Sequence, residues 1–295
     1  MKKLSGVITA MTTPFDAAGR IDTAALEAQT DFLILKKVDC LYPCGTTGEM
    51  YLMSAAEREL VAETVVKRAA GRVTVYVHTG AMTTEETVRL SLHARNIGAD
   101  GIGVVTPSYF RMSDAAMLQY YRDVARSLPS DFPLYTYNIP QLSGNDISPE
   151  ILEQLSEEPN IVGIKYSFAD MTRLQEYRKI KNGGLSVVFG PDHLFLPALV
   201  MGCDGTVSGC SGPVPEVFVD LYSKYRAGDL EGAAAAQRKA AEAVKLLKAG
   251  SDLSIFKAVL SARGIPGGSV RKPLLGIDGS EKRRILDAIG AYYGG

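Results

Sequence analysis

The stretch Asn160-Ile161-Val162-Gly163-Ile164-Lys165-Tyr166-Ser167 sets a lysine at the end of a short apolar run. Ile161 to Ile164 lies between Pro159 and the polar segment Ser167-Phe168-Ala169-Asp170, which suits a strand buried on both faces, as in a parallel sheet. An ammonium at the end of such a strand is partly desolvated. Desolvation disfavours the charged form and frees amine to act as a nucleophile, which is what a Schiff-base lysine requires. The plainer alternative is a strand-end lysine that snorkels into water.

Outward from this stretch the same rhythm of strand, polar loop and helix repeats in both directions. Gly6 to Thr12 reads as a first strand, Asp39 to Cys44 as a second, Val73 to His78 as a third, Asp100 to Thr106 as a fourth and Phe132 to Tyr137 as a fifth. Lys165 belongs to the sixth; Leu185 to Phe189 and Gly205 to Ser208 follow as the seventh and eighth. Helix starts are marked between them. Asp22 is placed as an N-cap before Leu26, Phe32, Leu33 and Leu35, and Ser54-Ala55-Ala56-Glu57 and Thr83-Thr84-Glu85-Glu86 read as capping boxes, the latter opening a helix with Val88, Leu90 and Leu92. Ser113 or Asp114 caps a further helix, and Ser148-Pro149 supplies a cap with proline at the first helical position.

Eight βα units in one array predict an α/β fold, a TIM (β/α)8 barrel over residues 1–214. An open doubly wound sheet is the alternative, and no GxGxxG turn after the first strand supports it. Beyond Pro215 the strand signal stops. Asp229 to Lys248, Leu253 to Ala262 and Glu281 to Tyr293 read as helices, so residues 215–295 form a C-terminal helical extension that covers the barrel or serves a subunit contact.

With 32 basic and 33 acidic residues the formal net charge is −1, which gives no electrostatic footprint for nucleic acid or an anionic membrane. A small-molecule partner is expected. There is no signal-peptide pattern at the N-terminus and no apolar run near the roughly 20 residues that span a bilayer, so a cytoplasmic location is expected. Cys40, Cys44, Cys203 and Cys210 lie in or beside apolar segments in no zinc spacing, which predicts buried free thiols. His78, His93 and His193 form no metal motif.

In a barrel the carboxyl ends of the strands build the active site. Lys165, Tyr137, Tyr109 and the hydroxyls of Thr46 and Thr47 all fall there and can converge. An imine mechanism needs a proton shuttle, which a phenol relayed through another hydroxyl provides; Tyr137 with Thr46 is such a relay. Gly45-Thr46-Thr47-Gly48-Glu49 offers two hydroxyls and backbone N–H groups to a small carboxylate, or is an ordinary polar turn. Tyr137 and Tyr109 read equally as packing residues.

Together Gly45-Thr46-Thr47-Gly48-Glu49, Val105-Thr106-Pro107-Ser108-Tyr109, Tyr137-Asn138-Ile139-Pro140, Gly163-Ile164-Lys165 and Gly190-Pro191-Asp192 with Pro197 make the chain resemble the dihydrodipicolinate synthase / N-acetylneuraminate lyase family of pyruvate-dependent class I aldolases. The resemblance spans nearly the whole chain. It implies that Lys165 forms the imine with pyruvate or another 2-oxo acid, that Tyr137 is the central acid/base, and that Thr46 relays protons. By the same resemblance Thr47 and the loop N–H groups hold the carboxylate, Tyr109 belongs to a tyrosine pair shared across a tight dimer, and the assembly is a homotetramer, a dimer of dimers. Ser167, Gly190, Asp192, Val207 and Ser208 then line the substrate site, with no cofactor and no metal.

Lysine-pathway synthases of the family carry an arginine two residues after the proline of the Tyr-Asn-x-Pro motif, and here that position is Leu142. Loss of a guanidinium from a buried carboxylate site costs a few kcal/mol of binding, which disfavours that reaction. Pro140-x-Leu142-Ser143-Gly144, Ser167 and Asp192 resemble the sialic acid lyase pattern, except that His193 stands where the lyases usually have glutamate. The expected activity is reversible cleavage of a 2-oxo-3-deoxy sugar acid, N-acetylneuraminate-like or 2-keto-3-deoxygluconate-like, to pyruvate and an aldehyde. The alternatives are a synthase or dehydratase of the same family, a non-catalytic 2-oxo acid binder, and a metal-dependent aldolase, for which the scattered histidines offer no ligand cluster.

Overall fold

A computed structural model describes residues 1–293 of the chain. Eight parallel strands close into a barrel in sequence order: β1 (Gly6–Ala10), β2 (Cys40–Tyr42), β3 (Thr74–His78), β4 (Gly101–Val105), β5 (Leu134–Asn138), β6 (Ile161–Tyr166), β7 (Ser186–Phe189) and β8 (Gly205–Ser208), with β8 paired to β1. The fold is the expected TIM barrel. Most strands are shorter than their apolar runs, because residues such as Thr12 and Thr106 already belong to the loops. β6 instead runs on to Tyr166, so Lys165 sits inside the strand rather than at its end.

The two faces of each strand do different work. Val7, Leu41, Val75, Ile102, Ile164 and Val187 pack outward against the helices, whereas Ile8, Tyr42, Tyr76, Tyr135, Val188 and Val207 fill the barrel interior. Three tyrosine rings fit inside because glycines face them. A Cβ at Gly101 would lie 2.4 Å from the Tyr76 ring, one at Gly103 1.9 Å from the Tyr42 hydroxyl, and one at Gly163 2.4 Å from the Tyr135 ring. At the lower end Tyr135 donates to Ser186 Oγ at 2.7 Å and accepts from the Leu4 backbone N–H at 2.9 Å, so its buried hydroxyl is satisfied and the N-terminal segment is held across the base.

The expected helix caps are largely present. Asp22, Ser113 and Ser148 each accept from a first-turn N–H, and Ser54 and Glu57 form a complete capping box. Thr83 departs from expectation: its hydroxyl accepts from Glu86 N, without the reciprocal half of a box. Leu35 and Leu92 depart too, both being exposed on helices that bury their neighbours. The helix Pro215–Arg226 follows β8 and packs on β1. Beyond it, helix Leu230–Leu246 lies against that helix, with Ala233, Ala236, Ala240 and Ala243 buried at alternating spacings of three and four that allow close approach. Leu253–Ala262 and Gly279–Ile289 follow, the last ending earlier than its sequence pattern, in a short 3-10 turn over Gly290–Tyr292. All four cysteines are free and buried, as expected. No helix among the described residues is long and apolar enough to cross a membrane.

Barrel closure depends on how near β8 comes to β1. A Cβ at Gly205 would lie 2.3 Å from Gly6 O and 2.5 Å from Gly6 N, backbone atoms that cannot turn aside. Gly205→Ala is therefore expected to cost about 1–3 kcal/mol or more, as overpacking of a filled interior does. A urea midpoint unchanged from wild type would contradict this account of closure.

Candidate active site

The upper end of the barrel opens into a cavity of about 500 Å³. Lys165 and Tyr137 enter it from adjacent strands, directly paired in register. A bulge produces that pairing. Leu134 pairs with Ile161 and Tyr135 with Gly163, so β6 carries one extra residue, Val162, against β5. Continued without the bulge, the ladder would set Ile164 opposite Tyr137 and turn Lys165 to the helix layer.

Lys165 is 5% exposed, and its Nζ lies over two aromatic faces, 3.8 Å from the Tyr137 ring centroid and 4.9 Å from that of Tyr42. Thr46 and Thr47 reach the cavity from the loop after β2, Ser167 from the loop after β6, Gly190 and Asp192 from the loop after β7, and Val207 from β8. Ser167 packs over Gly190, where a Cβ would come within 2.1 Å of its hydroxyl. Gln141 donates to Ser167 O at 2.7 Å and fixes the rim there. Leu142 and His193 also line the cavity, both exposed.

Two expected site residues stand elsewhere. The Ser208 side chain leaves β8 on the face opposite Val207, and its hydroxyl accepts from Ser211 N at 2.9 Å. Tyr109 is 86% exposed, with backbone φ of 76° and its ring edge-on to Phe110 at 5.1 Å. Within one chain it makes no part of the cavity wall. The loop after β4 projects it outward instead.

Asp192 is the buried carboxyl of this wall, 8% exposed, and its Oδ1 has no hydrogen-bond partner. Burial raises its pKa to about 6. Ser208, Cys210 and the charge on Lys165 oppose part of that rise, although neither Ser208 nor Cys210 attains the geometry of a formed hydrogen bond. A carboxyl poised there can accept a hydrogen bond or, when protonated, donate one.

A layer beneath the cavity floor was not legible in the sequence as functional. His78 ends β3, and its ring meets the Tyr137 ring edge-on at 6.0 Å. Nδ1 faces Cys44 O at 3.0 Å, while Val105 N donates to Nε2 at 3.3 Å, which assigns the proton to Nδ1 and leaves the imidazole neutral. Burial, followed by the nearby Arg58 and Lys165 charges, pushes its pKa well below 6.5. Arg58 is itself buried and donates to His78 O at 2.9 Å and Gly80 O at 3.0 Å. The available signal was the position of His78 at the carboxyl end of a strand, where barrel chemistry collects.

The chain matches the dihydrodipicolinate synthetase family over residues 3–291. A 4-hydroxy-tetrahydrodipicolinate synthase of Syntrophus aciditrophicus is 34% identical over 97% of this chain and 98% of its own. A probable 2-dehydro-3-deoxy-D-pentonate aldolase of Escherichia coli K12 is 36% identical over 81% of this chain and 80% of its own. Among solved structures, a prophage protein of the dihydrodipicolinic acid synthase family from E. coli K12, in complex with pyruvate, superposes with a TM-score of 0.92 at 30% identity, covering 98% of both chains.

Asp192 makes a prediction about pH. Its folded pKa of about 6 exceeds the unfolded value of 3.8, so between them the folded state binds the extra proton and stability falls as pH rises. The deficit is complete above about pH 6 and on the order of 3 kcal/mol. Asp192→Asn removes it, so the stability advantage of the variant over wild type should grow from about pH 4 to pH 6 and then level off. Urea midpoints across that range test this; parallel profiles would show that Asp192 is not held protonated by burial. With its barrel, its paired lysine and tyrosine and these relatives, the chain belongs to the dihydrodipicolinate synthetase family, whose members are pyruvate-dependent class I aldolase-type lyases.

Proposed function

We propose that the protein reversibly cleaves a 2-oxo-3-deoxy sugar acid to pyruvate and an aldehyde through an imine on Lys165. The observation that supports this most is the register pairing of Lys165 with Tyr137 at the mouth of the barrel. The Lys165 amine adds to the C2 carbonyl, and water is lost with a proton from Tyr137, which gives a protonated imine and a Tyr137 phenolate. The phenolate then takes the alcohol proton on C4 by way of Thr46, the C3–C4 bond breaks to release the aldehyde, and its electron pair enters the imine to leave an enamine. Protonation at C3 and hydrolysis release pyruvate and restore the lysine. The imine is the electron sink, so the scheme requires neither metal nor organic cofactor.

Thr47 and the loop N–H groups hold the carboxylate in this scheme, and Ser167 and Asp192 face the hydroxyls of the aldehyde portion. The solved relative with pyruvate bound supports the choice of 2-oxo acid, and the E. coli pentonate aldolase supports a sugar-acid substrate. The synthase reading is the second one, favoured by relatives of similar identity. Leu142 argues against it, because an exposed leucine at the cavity wall offers nothing to a second carboxylate. Tyr109 and Phe110, exposed together, suit the tight dimer of a tetrameric assembly. The buried free thiols suit a reducing compartment such as the cytoplasm.

Incubation with pyruvate, borohydride reduction and peptide mass spectrometry should locate a pyruvate-derived adduct on Lys165; a folded protein that takes no adduct at saturating pyruvate would sink the imine. Tyr137→Phe keeps the ring over Lys165 but removes the acid/base hydroxyl, and should lower kcat by about 10²–10⁴-fold. Leu142→Arg should raise turnover with aldehydes that carry a carboxylate relative to neutral sugar aldehydes, and unchanged selectivity would argue against a role for this position.

A further inference from the structure

The loop that presents Thr46 and Thr47 is fastened by a buried ion pair whose two residues lie far apart in the chain. Glu49 closes this loop in the left-handed backbone region, φ 60°, a conformation that a non-glycine residue keeps only when its surroundings impose it. Both oxygens of its buried carboxylate are engaged. Lys257 donates to Oε1, and the Arg271 backbone N–H donates to Oε2 at 2.8 Å. Lys257 also donates to Ser269 O at 2.7 Å, and its Nζ lies 4.6 Å from the Phe15 ring centroid. Arg271 continues the network to both oxygens of Glu57, at 2.7 and 2.9 Å, the residue that also completes the Ser54 capping box.

The loop has little freedom to move apart from Glu49. Gly48 N donates to Gly45 O at 3.0 Å and Glu49 N to Thr46 O at 3.1 Å, so a displaced Glu49 takes both threonines with it. Helix Leu253–Ala262 touches the same place from its other side. Phe256, next to Lys257, lines the cavity, and a Cβ at Gly209 would lie 2.8 Å from Thr47 Oγ1 and 3.2 Å from the Phe256 ring. Two adjacent residues of one helix therefore border the loop, Phe256 across Gly209 from Thr47 and Lys257 by its charge at Glu49.

We infer that Lys257 and Glu49 are positioning residues, through which the C-terminal helices hold the Gly45–Glu49 loop in the geometry that binds the 2-oxo acid carboxylate. This rests on the reading above that Thr47 and the loop N–H groups receive that carboxylate. Lys257→Met keeps the length of the side chain, removes the ammonium and leaves Glu49 buried without its charge partner.

The test measures the pyruvate concentration that gives half-maximal borohydride trapping on Lys165, with folded content checked by circular dichroism. Wild type is the control for the imine on Lys165, on which the carboxylate reading depends: if it takes no adduct, the proposed function fails and this inference with it. If wild type is trapped, Lys257→Met is expected to raise the half-saturating concentration by about fivefold or more, because small misplacements of binding groups have large effects. A merely structural role would lower the trapped fraction and leave that concentration unchanged, and this outcome overturns the inference. Should Lys257→Met not fold, the doubly neutral Glu49→Gln/Lys257→Met variant, which buries no unpaired charge, gives the same measurement and is judged by the same two outcomes.

Discussion

The pairing of β5 with β6 is the constraint on which the site depends. Side chains alternate across a strand, so a one-residue slip would exchange Lys165 for Ile164 at the mouth of the barrel. The extra residue in β6 at Val162 prevents that slip. It lets both Val162 and Gly163 face the interior against Tyr135, after which the ladder resumes with Tyr137 opposite Lys165 and Asn138 opposite Tyr166. Gly163 is needed there for space. Its missing side chain makes room for the Tyr135 ring, whose hydroxyl holds Leu4 at the base, so the same few residues fix the bottom of the barrel and the register of its top.

The parts of this arrangement that were legible in the sequence are those that rest on local patterns. Eight apolar runs separated by capped helices identified the barrel, and the caps at Asp22, Ser54, Ser113 and Ser148 follow from one hydroxyl or carboxylate and the next turn of backbone. Lys165, Tyr137, Thr46 and Thr47 were legible because strand ends in a barrel converge, and Ser167, Gly190, Asp192 and Val207 through the resemblance to the family; the structure brings all eight to one cavity. The bulge was not, since an extra residue in a run of Ile, Val and Gly leaves the apolar pattern intact. Ser208 does not line the cavity beside Val207, because adjacent residues at a strand end point apart, and its hydroxyl meets Ser211 N instead. The network around Lys257 was hidden for a different reason. Its partners are separated by 208 positions, and a lone lysine in an apolar helix gives no sign of what it will meet.

Electrostatically the layer under Lys165 is arranged to stay neutral. His78 is held as the neutral imidazole, and Tyr42 is pushed well above its usual pKa by burial. The bonds around His78 are what make this durable. Its ring accepts from one backbone N–H and donates to one carbonyl, so protonation would set an N–H against the Val105 N–H and add a charge beside Arg58 and Lys165. A neutral layer under the lysine means that the charge changing during imine formation and breakdown meets fixed dipoles and aromatic faces, which do not titrate in response.

The C-terminal helices belong to this argument as much as the barrel does. Val244, Lys248, Ser251 and Phe256 form the outer wall of the cavity, so without them the space above Lys165 would be open to water on that side. They are bound to the barrel by charge as well as by packing: Arg263 donates to Pro213 O at 2.7 Å and to Glu216 at 3.0 Å, beside β8, and Lys257 meets Glu49 beside β2. These two anchors lie on opposite sides of β1, and the segment between the helices crosses over Phe15 to pair with it through Ser269. An element tied at both β2 and β8 cannot shift as a body without disturbing the loops that carry Thr47 and Gly209. The extension therefore acts as part of the active-site wall, and its placement is set by the same buried groups that shape the loop across from Lys165.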